Sequence, residues 1–433
     1  MYLWKVHKLN NTFKVIGVLL SLIIFWLFYI SLQTFYNSPD NKNHSYIPSN
    51  SNIVVAFKGD VMIKSVISDF IASQDEALLD KLNSSKDEVK ESTGINFLSD
   101  IILFTLTQDE ELISGLIFNL IDKDNFNSNF EGKIITSNES VGFLLFNENN
   151  RLSKEKLNSI AQKLIDQPTN LYSKKLAPKE KGNSYISIWS KADESWKYTS
   201  LKVIKNEIIV EGEFVIENKN HDYLTQLNQN SNSFSFSTTF IPQKVSDTTL
   251  SFLGIQDNQI LGLSTNYRSI KIEQEKSFEL VPDADFIYQF KNEINASEVL
   301  KNIASRETIS NINASNFEFG GQLFNYKQVD PKTVYIGRTE FGKTSTRSDN
   351  SLLKIKGKPS YLNQIEGNSF ILRLISIFPA YRVGNSLSNT IQNIDFEVNP
   401  ISNNIIKING KIEFKKESYA TIELIKNLLE FRQ

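Results

Sequence analysis

Histidine and cysteine set the first limits on the chemistry open to this sequence. Three histidines occur, His7, His44 and His221, and there is no cysteine. Thiol nucleophiles, thiolate metal sites and disulfides are therefore excluded. His7 precedes an apolar run and His44 falls in a polar stretch just after it, so His221 is the one histidine expected in the folded part. A Ser-His-Asp triad would have to use it, and a multi-histidine zinc site cannot be assembled. His221 directly follows Asn220, an expected helix N-cap, which is a surface position.

Three other groups of residues invite a chemical reading. Asp122 to Gly132, DKDNFNSNFEG, is dense in oxygen side chains. A calcium loop needs oxygens at alternate early positions, and Phe126 occupies one of them whether the count starts at Asp122 or at Asp124. A polar turn with two aromatic anchors, Phe126 and Phe130, fits better. Asp283 and Asp285 form an Asp-x-Asp pair, but the corresponding stretch Ser49–Asn52 of an apparent earlier copy has no acids. A turn before a strand accounts for them. Tyr185, Trp189, Trp196 and Tyr198 form either an exposed platform for a ligand or large core residues. Core is the expectation, because aromatics of this size are highly buried on average. No Walker loop, dinucleotide fingerprint, nucleophile elbow or HExxH motif is present. No catalytic, cofactor-binding or metal-ligating residue is assigned, and no cofactor is expected.

The most distinctive element is Val15 to Phe35, VIGVLLSLIIFWLFYISLQTF, which no charge interrupts. As a helix rising 1.5 Å per residue it would span roughly 31 Å, the thickness of a hydrocarbon core. Lys5, Lys8 and Lys14 precede it, which places the N-terminus in the cytoplasm. A cleaved signal peptide would have a shorter apolar region and a small-x-small site. Here the run closes on Gln33, Thr34, Phe35 and Tyr36, so an uncleaved anchor is expected. Residues 37–46 are polar and aperiodic and read as a short flexible tether.

Beyond the tether the sequence repeats itself. Ile47-Pro48 precedes the apolar run Ile53–Phe57, and Val281-Pro282 precedes Phe286–Phe290. Amphipathic helices follow at Val61 to about Leu82 and at Ala296–Ile303, the latter with a capping box from Asn295 and Glu298. Gly182–Ile186 matches Gly367–Ile371. Asn206–Leu227 then matches Asn404–Ile425 without a gap. In that block Ile208, Val210, Gly212, Phe214 and Ile216 fall on Ile406, Ile408, Gly410, Ile412 and Phe414. Asn409-Gly410 has the composition of a hairpin turn. A hairpin there would set Ile412 opposite Lys407, so one continuous strand with a mid-length glycine is predicted, a glycine that marks a bulge or a close approach. Each strand should then run into a helix capped by Asn220 or Ser418.

Further strands are expected at Asp100–Thr107, Ile113–Leu120, Val141–Asn147, Leu353–Lys356, Phe234–Phe240 and Leu250–Leu253, with a helix at Lys154–Gln167 capped by Ser153. The predicted fold class is α+β: an N-terminal transmembrane helix followed by two tandem copies of an antiparallel-sheet-plus-helix unit. The expected boundaries are a cytoplasmic tail 1–14, a transmembrane helix 15–36, the tether 37–46, copy 1 at 47–230, connecting strands 231–280 and copy 2 at 281–433.

Composition adds little. The chain is 40% hydrophobic and 22% charged with a net charge of -2, so nothing points to nucleic acid. The N-terminal anchor, the Ile47-Pro48 turn before Ile53–Phe57, and the following helix and sheet-rich body resemble uncharacterised single-pass envelope proteins of the Bacteroidota. That resemblance implies no site residues. The expected localisation is the inner membrane, with the N-terminus cytoplasmic and the body periplasmic. The expected function is a non-catalytic interaction or assembly module of the cell envelope. It would contact the membrane through residues 15–36 and possess envelope protein partners. The alternative is a carrier or binder of lipid or another apolar ligand, with some of the 30 Phe lining its cavity.

Overall fold

The structure is a computed structural model. It describes residues 40–423 except 74–92, 109, 148–151, 181, 217–223, 228–232, 242, 256–257, 274–278, 306–308, 311–312, 314, 342–345, 364, 367–389 and 416–418. The apolar run Val15–Phe35, His7, His221 and both expected caps, Asn220 and Ser418, lie outside the described residues. Among those described, no helix is long and apolar enough to cross a membrane.

The chain divides into two compact units. The first contains residues up to 51, 56–68 and 91–173. Its sheet has the order β2 (Ile101–Gln108), β3 (Glu111–Asn119), β5 (Val141–Asn147) and β4 (Ile134–Ser137), each pair antiparallel. Period-two alternation sends Ile102, Phe104 and Leu106 of β2 to one face, where all three are buried. On β5, Phe143 and Leu145 take one face and Leu144 the other. Leu144 belongs to a cluster with Ile95, Phe118 and Phe126. Helix α3 (Lys154–Asp166) begins at Ser153, whose side chain accepts from the Lys156 N–H, and it buries Leu157, Ile160, Ala161 and Ile165. Strand β1 (Ser51–Phe57) and helix α1 (Gly59–Ser73) each contribute residues to both units.

The second unit, residues 52–55, 69–90 and 174–433, contains a long antiparallel sheet. A meander of β6 (Ile186–Ala192), β7 (Ser195–Ile204) and β8 (Glu207–Val215) continues into β21 (Ile405–Phe414), β20 (Ile391–Ser402), β18 (Leu353–Gly357) and β10 (Phe234–Thr238). It proceeds through β11 (Ile260–Glu273), β12 (Glu279–Phe290), β16 (Thr333–Gly337), β15 (Gln322–Asp330) and β14 (Asn316–Phe319). Helices α4 (Gln243–Leu253) and α5 (Ala296–Ala304) bring Leu250, Leu253, Val299 and Ile303 onto the core of β12, β16, β15 and β14.

The expected α+β fold of two tandem sheet-plus-helix copies is thus corrected. The described chain is dominated by a large antiparallel sheet, in which the two glycine-centred strands lie side by side. β8 and β21 are direct neighbours, with Ile208 opposite Ile412, Glu211 opposite Asn409 and Phe214 opposite Ile406. Because the matched positions pair reciprocally, the two strands are related by a local two-fold axis through Glu211 and Asn409. Both strands have the same alternation of apolar and polar residues. Pairing them satisfies two edges at once and puts Ile208, Val210, Phe214, Ile406, Ile408 and Ile412 on one face, with Ile209, Val215 and Ile405 on the other. The repeat-like pattern in the sequence is therefore a feature of sheet organisation.

Both strands run unbroken through their glycines, as the alternation predicts. A Cβ on Gly410 would lie 2.2 Å from Cδ2 of Phe396. At Gly212, φ is +148°, and a Cβ would lie 2.3 Å from the Tyr198 carbonyl oxygen and 2.4 Å from Thr199 Cα. The obstacle at Gly212 is backbone, which cannot rotate away. Gly212→Ala is expected to cost about 1–3 kcal/mol, read as a lower urea midpoint.

Local expectations fail where the apolar run is short. Leu250–Leu253, read as a strand, closes helix α4. After β8 the next described element is a strand, β9 (Leu224–Leu227), where a helix was expected. Residues 420–423, after β21, are helical.

Candidate functional site

The first concentration of buried charge lies in the first unit, where the chain enters the fold. Lys58 directly follows β1 and Asp100 directly precedes β2. The segment expected to be a tether docks here. Lys42–Tyr46 forms a 3-10 turn with Asn43 fully buried. His44 Nε2 lies 2.8 Å from Asp100 Oδ2, and Lys58 Nζ lies 3.0 Å from the same oxygen. The Asp100 backbone is engaged as well, its N–H donating to Asn41 Oδ1 and its carbonyl accepting from Asn43 Nδ2. Asn43 and Asn119 exchange two more hydrogen bonds, each of 3.0 Å. The Tyr172 ring lies tilted against the His44 ring, their centroids 3.8 Å apart, and its hydroxyl accepts from Lys58 Nζ at 3.2 Å.

Burial opposes ionisation of Asp100, but His44 and Lys58 outweigh it and hold the carboxyl below its usual value. A carboxylate next to Nε2 selects the His44 form that carries its proton there. His and Asp are two members of a triad, yet among the described residues no hydroxyl is hydrogen-bonded to His44 Nδ1. Polar density composed of asparagine side chains on backbone groups suits an attachment point. Its effect is to fasten residues 41–46 to the start of β2 and the end of β3.

The second concentration lies in the second unit. Asp283 and Asp285 are not in a turn but within β12, on one face. A register shift between Tyr267 and Ser269 leaves Arg268 of β11 as the extra residue of a bulge. Its guanidinium reaches both acids, Nε to Asp283 at 2.9 Å and Nη1 to Asp285 at 2.7 Å. Asp285 is buried and its remaining capacity is filled by the Tyr335 hydroxyl at 3.0 Å, the Thr339 N–H at 2.9 Å and the Thr339 hydroxyl at 3.0 Å. Burial raises the Asp285 pKa, but Arg268 and Thr339 overcome this and lower it. With every lone pair used, this is a structural ion pair.

The other sequence candidates are structural too. Asp122 caps a short helix, α2 (Lys123–Asn129), by accepting from the Asn125 N–H at 2.9 Å. Phe126 is fully buried and packs against Phe118 and Phe130. Tyr185, Trp189 and Trp196 are buried, and Trp189 Nε1 donates to the Leu176 carbonyl. Among the described residues no cluster of three His, Asp or Glu could hold a metal ion.

The described residues of the second unit form clefts that include two polar ones. One, of about 620 Å3, lies on the polar face of β7, β8 and β21 beside Lys179, Tyr198, Gly212 and Lys407. The other, of about 460 Å3, is lined by Asn258, Asn292, Asn295, Asn302, Glu293 and Glu298. Ion pairs tie down the first face, with Lys197 on Glu213 and Lys202 on Glu211.

Asp100 and Asp285 both have lowered values in the folded state, so each stabilises above the unfolded carboxylate pKa of about 3.9. That contribution is lost as pH falls through the folded values. Urea midpoints should be flat above about pH 5 and fall steeply below pH 4. The slope should lessen in Asp285→Asn.

The chain matches no protein-family model, no curated protein and no solved structure.

Proposed function

We propose that the chain is a non-catalytic interaction or assembly module of the cell envelope, anchored in the inner membrane through residues 15–36 with its body periplasmic. The attachment of residues 41–46 to Asp100 and Asn119 carries this reading. A flexible tether would let the body swing freely. A chain fastened within a few residues of an apolar run keeps it close to the membrane plane, at high effective concentration for envelope partners. The resemblance to Bacteroidota envelope proteins supports the same setting. The polar clefts offer no apolar cavity, so the reading as a lipid carrier draws no support from them.

Cross-linking in intact cells followed by mass spectrometry tests the proposal. Reproducible recovery of one or a few envelope proteins, cross-linked through the body, is the expected result. Cross-links to no envelope protein in repeated experiments would count decisively against it.

A further inference from the structure

One end of the first unit is apolar where a loop is ordinarily polar. Phe97 is 53% exposed, Leu98 37% and Ile121 68%. Backbone bonds hold their two loops together. The Asn96 N–H donates to the Asn119 carbonyl at 2.8 Å, the Ile121 N–H donates to the Gly94 carbonyl at 2.9 Å, and Ile95 bridges to Leu120. The start of α1 backs onto the same loop, since a Cβ on Gly59 would meet the Phe97 and Ser99 carbonyl oxygens. The three side chains therefore sit on a supported edge.

The position of this edge along the chain says what covers it. Asn41 and Asn43 bond to Asp100 and Asn119, each within three residues of an exposed apolar side chain. Only four residue steps separate Tyr36, the end of the apolar run, from Asp40. Fully extended, they reach about 14 Å. Interfacial apolar groups bury roughly 5–10 Å into the headgroup boundary. If residues 15–36 cross the bilayer, the loops around Phe97 and Ile121 are within reach of that layer. We infer that Phe97, Leu98 and Ile121 insert into the lipid interface and set the orientation of the first unit on the membrane. Exposed Asp122 and Asp124 beside Ile121 disfavour a strongly anionic surface, so the fit is to zwitterionic headgroups. This rests on the anchorage proposed above.

The absence of cysteine makes a direct test simple, since any introduced cysteine is the sole labelling site. The full chain is reconstituted in phosphatidylethanolamine–phosphatidylcholine vesicles with a fluorophore on Phe97→Cys, Ile121→Cys, Glu194→Cys or Leu20→Cys. Labels at 97 and 121 should lose most of their emission to a lipid-borne quencher and resist aqueous iodide, while 194 does the reverse. Labels at 97 and 121 that behave like 194, while 20 is quenched from the lipid, overturn the inference alone. Protection of 97 and 121 from both quenchers also overturns it, because protein then covers the edge. A label at 20 that resists the lipid-borne quencher overturns the anchorage, and the inference with it.

Discussion

Replacing Asp285 with alanine is expected to destabilise the second unit by about 3–5 kcal/mol, the usual cost of stranding one member of a buried ion pair. Four donors converge on this carboxylate, and Arg268 is the only charged one. Removing it leaves Arg268 with Asp283 alone, and it orphans the Thr339 N–H and hydroxyl and the Asp285 side of Tyr335. Gly337 belongs to the same arrangement, because a Cβ there would lie 2.5 Å from Asp285 Oδ1 and 2.4 Å from the Tyr335 hydroxyl. Hydrogen exchange resolves the effect. Faster exchange should appear in β12 and β16 while β2 and β3 keep their protection, as expected for separate compact units. Unchanged exchange in β12 would show that the carboxylate is dispensable.

Asp100→Ala should have the second largest effect, about 3 kcal/mol on the first unit. The lower end of the range applies because the Lys58 side chain keeps the Tyr172 hydroxyl as a partner. The Asn43 N–H, which donates to buried Asn119, should exchange faster in this variant. The backbone contacts of residue 100 to Asn41 and Asn43 remain in both variants, but Asp100→Asn also keeps the side-chain shape and an amide oxygen for His44 and Lys58. It should loosen the turn less, which separates the ionic contribution from the shape of the site. If residues 41–46 remain fully protected in both variants, the carboxylate does not hold them.

Parts of this organisation are legible in the sequence because they are periodic or local. The alternation Ile406, Ile408, Gly410, Ile412 requires a continuous strand whatever the Asn-Gly dipeptide suggests. Ser153 and Asn295 cap helices α3 and α5 through contacts two or three residues away. Long-range pairings are not written locally. Asp100 meets His44 across 56 positions, and the polar segment that carries His44 has the composition of a linker. Arg268 reaches Asp283 and Asp285 only because the β11–β12 register and its bulge bring them together. An Asp-x-Asp pair on one strand face was the available signal, since two carboxylates on one side call for a cation. The matched blocks around Gly212 and Gly410 were visible, but nothing in either block says that they pair with each other. Leu250–Leu253 shows the limit of short apolar runs, whose burial is evident and whose helical or extended form is decided by what they pack against.

The proposed function requires that the body lie outside the cytoplasm, held there by residues 15–36. The most direct measurement fuses after Gln433 a reporter enzyme that is active only outside the cytoplasm. An active fusion is expected, together with a silent second fusion whose reporter works only in the cytoplasm. The opposite pattern, with the cytoplasmic reporter active and the other silent, would contradict it.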